Sequence, residues 1–574
     1  MSAQAASSFD LVTLSILNHA FVAVCREMGV TLMKTSYSTI FNEALDFTCA
    51  LAFPDGEMFA CAEFCPAQIG AMPVIIRNIA REIPLDEWEP GDVVIHNDPY
   101  RGGCHIPEHT VVKPIFGPDG EFVAMAVSIG HIAEVGGKAP AAFCGDATEI
   151  FQEGLRIPPI KIKKRGLDVE EVWKIMLANV RTPRFNYGDL RALIASVDLG
   201  EQRFLELVGK YGMVTIKGAG KELLDYSERL MRAEIAAIPD GIYGFEDYLE
   251  DDGVESRPYK IKVTCYVRGD EIVVDFTGSD QQAKGPINAT FGVTHSATYN
   301  ALLHLTDPAI PKNSGCYRPV RIVAPPGTVV NVDYPGPEVG GNTETHPRIA
   351  LTVIGALAKA VPERAMACEG GTHINFVFGG FHPDNGEYYA CYDLEAVGWG
   401  ARPYADGNNF VDSINGNCRV SPVEVFETRF PWLVEEFRLR ENSGGPGKYR
   451  GGLGATKTYH ARAEITASQL TDRHQLGAWG LFGGQEGARG ATLVQVGGRG
   501  SWQTIPEAYG RVSTSKYSNV IFRPGDRVRL ITPGGGGWGD PRERSRDLIE
   551  EDLCDGFITP EHAREQYGND EEER

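Results

Sequence analysis

The stretch His96-Asn97-Asp98-Pro99-Tyr100-Arg101-Gly102-Gly103-Cys104-His105-Ile106-Pro107-Glu108-His109 decides how the rest of the chain is read. Residues 92–96 form a short apolar strand that feeds it, and residues 111–116 resume a strand after it. Gly117-Pro118-Asp119-Gly120 turns the chain into a second strand, 121–129, which delivers Gly130-His131-Ile132-Ala133-Glu134-Val135-Gly136-Gly137. His105 and His131 therefore lie at or near strand ends, where loops emerge and sites are commonly built. Imidazole nitrogen with carboxylate oxygen is the donor mixture that zinc, manganese and iron accept. Asp46, alone at the start of an otherwise apolar strand, adds a carboxylate to His105, Glu108 and His131. The competing reading is a polar loop whose histidines bond the backbone in tight turns.

Outward from this stretch, residues 10–35 read as an amphipathic helix capped by Ser8 or Asp10, and 47–53 with 56–60 as a hairpin around Pro54-Asp55-Gly56. A helix is expected over 71–83, an extended segment over 155–160, and helices over 169–180 and 188–236, the latter as two. Strands follow over 241–276, a helix within 282–305 after the Gly285-Pro286-Ile287-Asn288 turn, a strand-like run over 320–332 and a helix over 348–361 stopped by Pro362. After Ser443-Gly444-Gly445-Pro446-Gly447, short strands alternate with glycine up to residue 531. The expectation is a mixed α/β (α+β) multidomain fold with several sheets. It comprises an N-terminal metal-site domain (1–235), a central α/β domain (236–440), a β-rich glycine-rich module (441–545) and a helical, acidic tail (546–574).

The formal charge of −22 disfavours nucleic acid or an anionic membrane as partner. The first eight residues lack the pattern of a signal peptide, and no apolar run reaches the ~18 residues of a membrane span. Twelve scattered cysteines without a CxxC pair read as free thiols of a reducing cytoplasm. Cys61 and Cys65 alone stand at a spacing that suits a helix face or a metal.

Other motifs have packing alternatives. Pro533-Gly534-Gly535-Gly536-Gly537-Trp538-Gly539-Asp540 and Gly451-Gly452-Leu453-Gly454 lack the Lys-Ser/Thr and flanking strand and helix of a phosphate loop, so any ATP belongs to another polypeptide. No Gly-x-Ser-x-Gly stands in the chain. Cys104 beside His105 is a nucleophile candidate set against simple packing. Glu344, His346 and His373 form a second polar cluster, read as loop packing. Arg402, Asp406 and Asn409 suit an anion or a carbonyl, or else a solvated turn.

Taken together the motifs resemble the hydantoinase B/oxoprolinase family, the smaller subunits of ATP-dependent hydantoinases, oxoprolinases and caprolactamase, with homologues in acetone and acetophenone carboxylases. The resemblance runs through Asp46-Phe47-Thr48-Cys49-Ala50, Asn97-Asp98-Pro99-Tyr100-Arg101-Gly102-Gly103, Glu149-Ile150-Phe151-Gln152-Glu153-Gly154-Leu155-Arg156-Ile157-Pro158-Pro159, Asp275-Phe276-Thr277-Gly278-Ser279, Gly398-Trp399-Gly400-Ala401-Arg402-Pro403 and Ser421-Pro422-Val423-Glu424. It implies a divalent metal (Zn, Mn or Fe) on Asp46, His105 and His131, with Glu108 as a further ligand or as general base and Asp98 as the other candidate base. The chain departs from the family's pattern at Glu108 and Glu134, where aspartates are common, and at Ile132, where a second histidine is common.

The resemblance further implies a hydantoinase A-like partner that binds ATP-Mg and phosphorylates a cyclic amide of hydantoin, 5-oxoproline or lactam type, assembled as an (αβ)2 hetero-oligomer. The present chain would then hydrolyse the activated ring. Two alternatives stand beside that expectation: a subunit of an ATP-dependent ketone carboxylase, and an inactive scaffold whose site has decayed.

Overall fold

The computed structural model describes residues 9–568. Ser8 as a cap, the first eight residues as a whole and residues 569–574 at the end of the acidic tail lie outside that range.

The histidine-bearing stretch sits in a seven-stranded antiparallel sheet, ordered Met58–Cys61, Phe47–Ala52, Phe122–His131, Glu108–Phe116, Val93–His96, Ile160–Lys164, Leu167–Asp168. Both faces of its central strands are buried, which is why they read as near-continuous apolar runs rather than alternating ones. One face is covered by the helix Leu11–Thr35, capped by the Asp10 carboxylate on Thr13 N–H, and by Pro183–Tyr211, which packs along it. Leu11–Thr35 is long and apolar enough to meet the length and composition of a membrane span, as a core helix also can. In the fold its Leu14, Leu17, Phe21, Val24, Met28 and Leu32 row is buried. The other face is covered by Pro66–Glu82, which packs on Phe291–Leu305, and that helix on His346–Leu357.

A four-stranded sheet (Val320–Val323, Glu271–Asp275, Tyr259–Arg268, Gly241–Leu249) follows. The third sheet joins Tyr388–Glu395 and Ile374–Phe381 to Ile465–Leu470 and Lys516–Phe522, and the fourth joins Trp432–Leu439 to Ala455–Ala461, Arg527–Ile531, Ala491–Gln495 and Gln503–Thr504. Both therefore draw strands from either side of residue 440. The glycines of this region pack backbone on backbone: a Cβ on Gly451 would lie 1.9 Å from the Gly535 carbonyl oxygen.

Three elements differ from expectation. The helix expected at 71–83 begins at Pro66, because proline is tolerated in a first turn. Residues 282–290 are irregular and the helix starts at Phe291; the Asn288 side chain satisfies Ala283 N–H and the carbonyls of Ala283, Gly285 and Pro337, competing with helix formation. The strand at 320–332 stops at Val323.

Candidate metal centre

Three neighbouring strand ends bring the first donors together. Glu108 pairs directly with His131 across the hairpin, and Phe47 pairs with Gly130 on its other side. The His131 N–H donates to the Asp46 carbonyl (3.1 Å) and the Ile132 N–H to the Pro107 carbonyl (2.9 Å), which closes this corner of the sheet. A turn from His105 O to Glu108 N (3.0 Å) sets the histidine above the glutamate.

All four side chains are buried. His105 Nε2 lies 3.7 Å from Glu108 Oε1, and His131 Nδ1 lies 3.6 Å from Asp46 Oδ2. The two rings meet edge to face with centroids 5.2 Å apart. Ligands about 2.1 Å from a tetrahedral ion stand roughly 3.4 Å from one another, so each pair is spaced close to two ligands of one ion. Among the described residues, no group of three or more His, Cys, Asp or Glu side chains is spaced to hold a metal ion as it stands.

Two amides hold the carboxylates. Gln68, in the first turn of Pro66–Glu82, donates to Asp46 Oδ1 (3.0 Å) and to Glu108 Oε1 (3.2 Å). Asn342 donates to Glu108 Oε1 (3.1 Å) and stands 3.5 Å from His105 Nε2. It lies in the wide helical turn Gly341–Thr345, whose first residue must be glycine, since a Cβ there would lie 2.0 Å from the Asn288 carbonyl oxygen. The Val339 carbonyl, 3.1 Å from His105 Nδ1, orients that ring. Tyr392, stacked 4.5 Å from His131, and Phe143 orient the other.

The electrostatics fit a cation. Burial, aided by Asp412, pushes the Asp46 carboxyl up to about 7. Burial and the Asp46 charge push Glu108 up to about 8. Burial pulls His105 down to about 4 and His131 well below its usual range, so both rings are neutral and keep a lone pair for a metal. Glu108 Oε2, His131 Nε2, Gln68 Oε1 and Asn342 Oδ1 are buried with no hydrogen-bond partner among the described residues. Two destabilised carboxylates and two neutral imidazoles make a donor set that a divalent ion would satisfy. They surround a cavity of about 20 Å³, room for an ion or a single water.

Other lining residues carry no sequence signal that ties them to this site. His373 joins it from the start of the third sheet, its Nδ1 3.1 Å from Asp412 Oδ1 and its Nε2 2.9 Å from Asn415 Oδ1. Burial opposes its charge, but Asp412 and the other acceptors hold it up to about 9, so an imidazolium faces the cavity. Glu344, expected beside it, instead accepts from Asn375 (3.0 Å) and Thr372, and His346 stands 3.3 Å from Ser296 Oγ.

Asp98 is not brought to the cavity. Its Oδ1 caps Tyr100 N–H (3.1 Å) and its Oδ2 is held by Arg101 and, at 3.6 Å, by Arg156. A carboxylate ahead of Pro99-Tyr100-Arg101 serves a turn as readily as a site. His109 Nδ1 turns to the Pro107 carbonyl (3.1 Å). Glu134 accepts from the N–H groups of Gly136 (2.6 Å) and Ala141 (2.9 Å) and pairs with Arg181; Ile132 is core. Cys104 is buried with its thiol pushed well up, which suits packing rather than attack. Cys61 and Cys65 point their thiols at the carbonyls of Lys312 and Asn415. Asp406 is tied to Arg544 by two 2.8 Å contacts, Arg402 to the Asp406 carbonyl and Asn409 to Leu453 N–H, so that group is internal wiring.

A family model described as hydantoinase B/oxoprolinase matches residues 10–541. The chain is 35% identical to a protein assigned as a D-/L-hydantoinase component in Pseudomonas sp. strain NS671, over 97% of this chain and 95% of that one. It superposes on the crystal structure of the ATP-dependent caprolactamase from Pseudomonas jessenii with a TM-score of 0.90 at 30% identity, covering 99% of this chain and 98% of that one. An acetone carboxylase structure shares the fold (TM-score 0.87, 20% identity, 97% of this chain and 79% of that one).

Proposed function

Since this chain belongs to the hydantoinase B/oxoprolinase family, we propose that it is the metal-holding component of a complex that opens a cyclic amide after an A-type partner has phosphorylated the ring at the expense of ATP. The observation that carries the reading is the set Asp46, His105, Glu108 and His131 around one buried cavity. A divalent cation held by these residues would supply Lewis acidity and a water acidified toward neutral pH.

The chain's own groups divide the remaining work. Glu108 Oε1 is engaged by Gln68 and Asn342, whereas Oε2 is free to take a proton from water in the cavity. Glu108 thereby serves both expected roles, one oxygen for each. His373 holds a proton on the same cavity and delivers it to the ring nitrogen as the amide bond breaks. Asn415 fixes the His373 ring, and the cavity of about 20 Å³ would have to widen to admit the activated ring.

The test is turnover of hydantoin, 5-oxoproline and ε-caprolactam by the chain co-purified with its A-type partner, with ATP and labelled bicarbonate present. ATP-dependent ring opening without label in the product supports the reading. Label in the product replaces it with carboxylation. A complex that holds metal yet turns over none of the substrates would leave a scaffold.

A further inference from the structure

Two larger cavities flank the centre, and their charges differ. The larger, about 870 Å³, lies behind the first turn of Pro66–Glu82 and carries three carboxylates, Glu63, Asp307 and Glu363, against Lys312 and Arg364; Arg364 is already paired with Glu234. It is unsuited to an anion.

The second, about 460 Å³, is a separate cavity bordered by two elements that also line the centre. Ile132 lines it immediately after His131. Ala390 lines it two residues before Tyr392, on the same face of Tyr388–Glu395 that presents Tyr392 and Leu394 to the centre. Its walls carry Arg184, Arg429 and His382. Both of its acids are spent: Glu134 on two backbone N–H groups and Arg181, and Asp189 on the N–H groups of Tyr37 (2.7 Å) and Ser38 (3.1 Å). Its arginines are not. Arg429 makes one hydrogen bond, to the Tyr37 carbonyl (3.2 Å), and no ion pair within 4 Å among the described residues, though its charge acts on Asp189; Arg184 meets Glu387 only at 3.7 Å, both side chains largely exposed. Thr39 and Thr428 also line it, the Thr428 hydroxyl donating to the Val425 carbonyl (2.8 Å). In a chain of net charge −22, an underused pair of guanidiniums beside the centre is a local exception.

We propose that this pocket binds a phosphoryl-bearing anion through Arg429 and Arg184: the activated substrate on its way to the centre, or the phosphate released from it. The inference rests on the reading that a partner phosphorylates the ring. Guanidinium forks match phosphoryl oxygens two at a time, which a lysine at the same place would not do.

The test uses titration calorimetry on the full chain with inorganic phosphate, standing for the released group, and acetyl phosphate, standing for an activated acyl-type substrate. Arg429→Met and Arg184→Met are each expected to weaken binding by about tenfold or more, with metal content and melting temperature unchanged; Arg429→Lys should recover only part of it. Asp46→Asn, which alters the centre alone, should leave binding intact. Preference for acetyl phosphate assigns the pocket to the incoming substrate, and preference for phosphate to the released product. The proposal is overturned if neither probe binds the wild-type chain, if the arginine variants bind as wild type, or if Asp46→Asn abolishes binding while Arg429→Met does not, since the anion would then sit on the metal. A failure of ring opening with arginine-dependent binding preserved would count against the proposed function and not against this pocket.

Discussion

Asp46→Asn should make the metal-free protein more stable at neutral and alkaline pH. The Asp46 carboxyl is buried, and its titration is raised from 3.8 to about 7. At 1.36 kcal/mol per pH unit, holding it ionised in the fold costs about 4 kcal/mol. The sign follows from which state ionises first. Below about pH 4 the carboxyl is protonated in both folded and unfolded chains and costs nothing. Between about 4 and 7 only the unfolded chain releases the proton, so stability falls; above about 7 the cost is constant. Asparagine keeps the oxygen that accepts from Gln68 and carries no charge. Removing the charge also relieves Glu108, which is pushed up in part by Asp46. Thermal unfolding of chelator-treated protein should therefore show wild type and variant alike near pH 4 and the variant about 3 °C higher near pH 8, taking unfolding entropy in proportion to length. With zinc or manganese at a thousand times Kd the gap should close, because such binding adds about 4 kcal/mol to a native state that holds the ion and offsets the cost of the charge. If the metal-free variant is less stable than wild type at pH 8, the carboxylate is not a strained ligand and the electrostatic reasoning fails.

Glu108→Gln should lower kcat by about 10²-fold or more while metal content by elemental analysis stays near wild type, because the remaining oxygen still faces the centre; loss of metal would make Glu108 a ligand only. His373→Gln should lower kcat by about 10²-fold and remove the alkaline limb of the pH–rate profile, which in the wild type falls as His373 loses its proton near about 9; an unchanged limb would assign it elsewhere. Gly451→Ala should cost about 3 kcal/mol or more, since its Cβ would meet the Gly535 carbonyl at 1.9 Å, and a melting temperature equal to wild type would contradict that packing.

The hairpin and its donors are legible because they depend on local signals: a Gly-Pro-Asp-Gly turn, two apolar strands, and histidines where the strands end. Asp46 is legible as a charge opening an apolar strand. The carboxylate at residue 98 misleads, since turn caps and catalytic bases use the same side chain and only the arginines brought close by folding distinguish them. The residues that finish the site carry no such mark. Gln68 lies in the first turn of a helix whose apolar pattern starts later, and Asn342, His373 and Asn415 come from segments more than two hundred residues beyond His105 in a 574-residue chain. Nothing in their spacing joins them to the hairpin; the packing of Pro66–Glu82 on Phe291–Leu305, and of that helix on His346–Leu357, does. His373 groups with Glu344 and His346 along the sequence, whereas Asp412 and Asn415 turn its ring to the main cavity.

The central claim is that Asp46, His105, Glu108 and His131 hold one divalent ion. Elemental analysis of the purified wild-type chain, beside His105→Ala and His131→Ala, tests it most directly. Close to one zinc, manganese or iron per wild-type chain is expected, with loss of most of it in either variant; less than ~0.2 per wild-type chain, or a content unchanged by both substitutions, would contradict the claim.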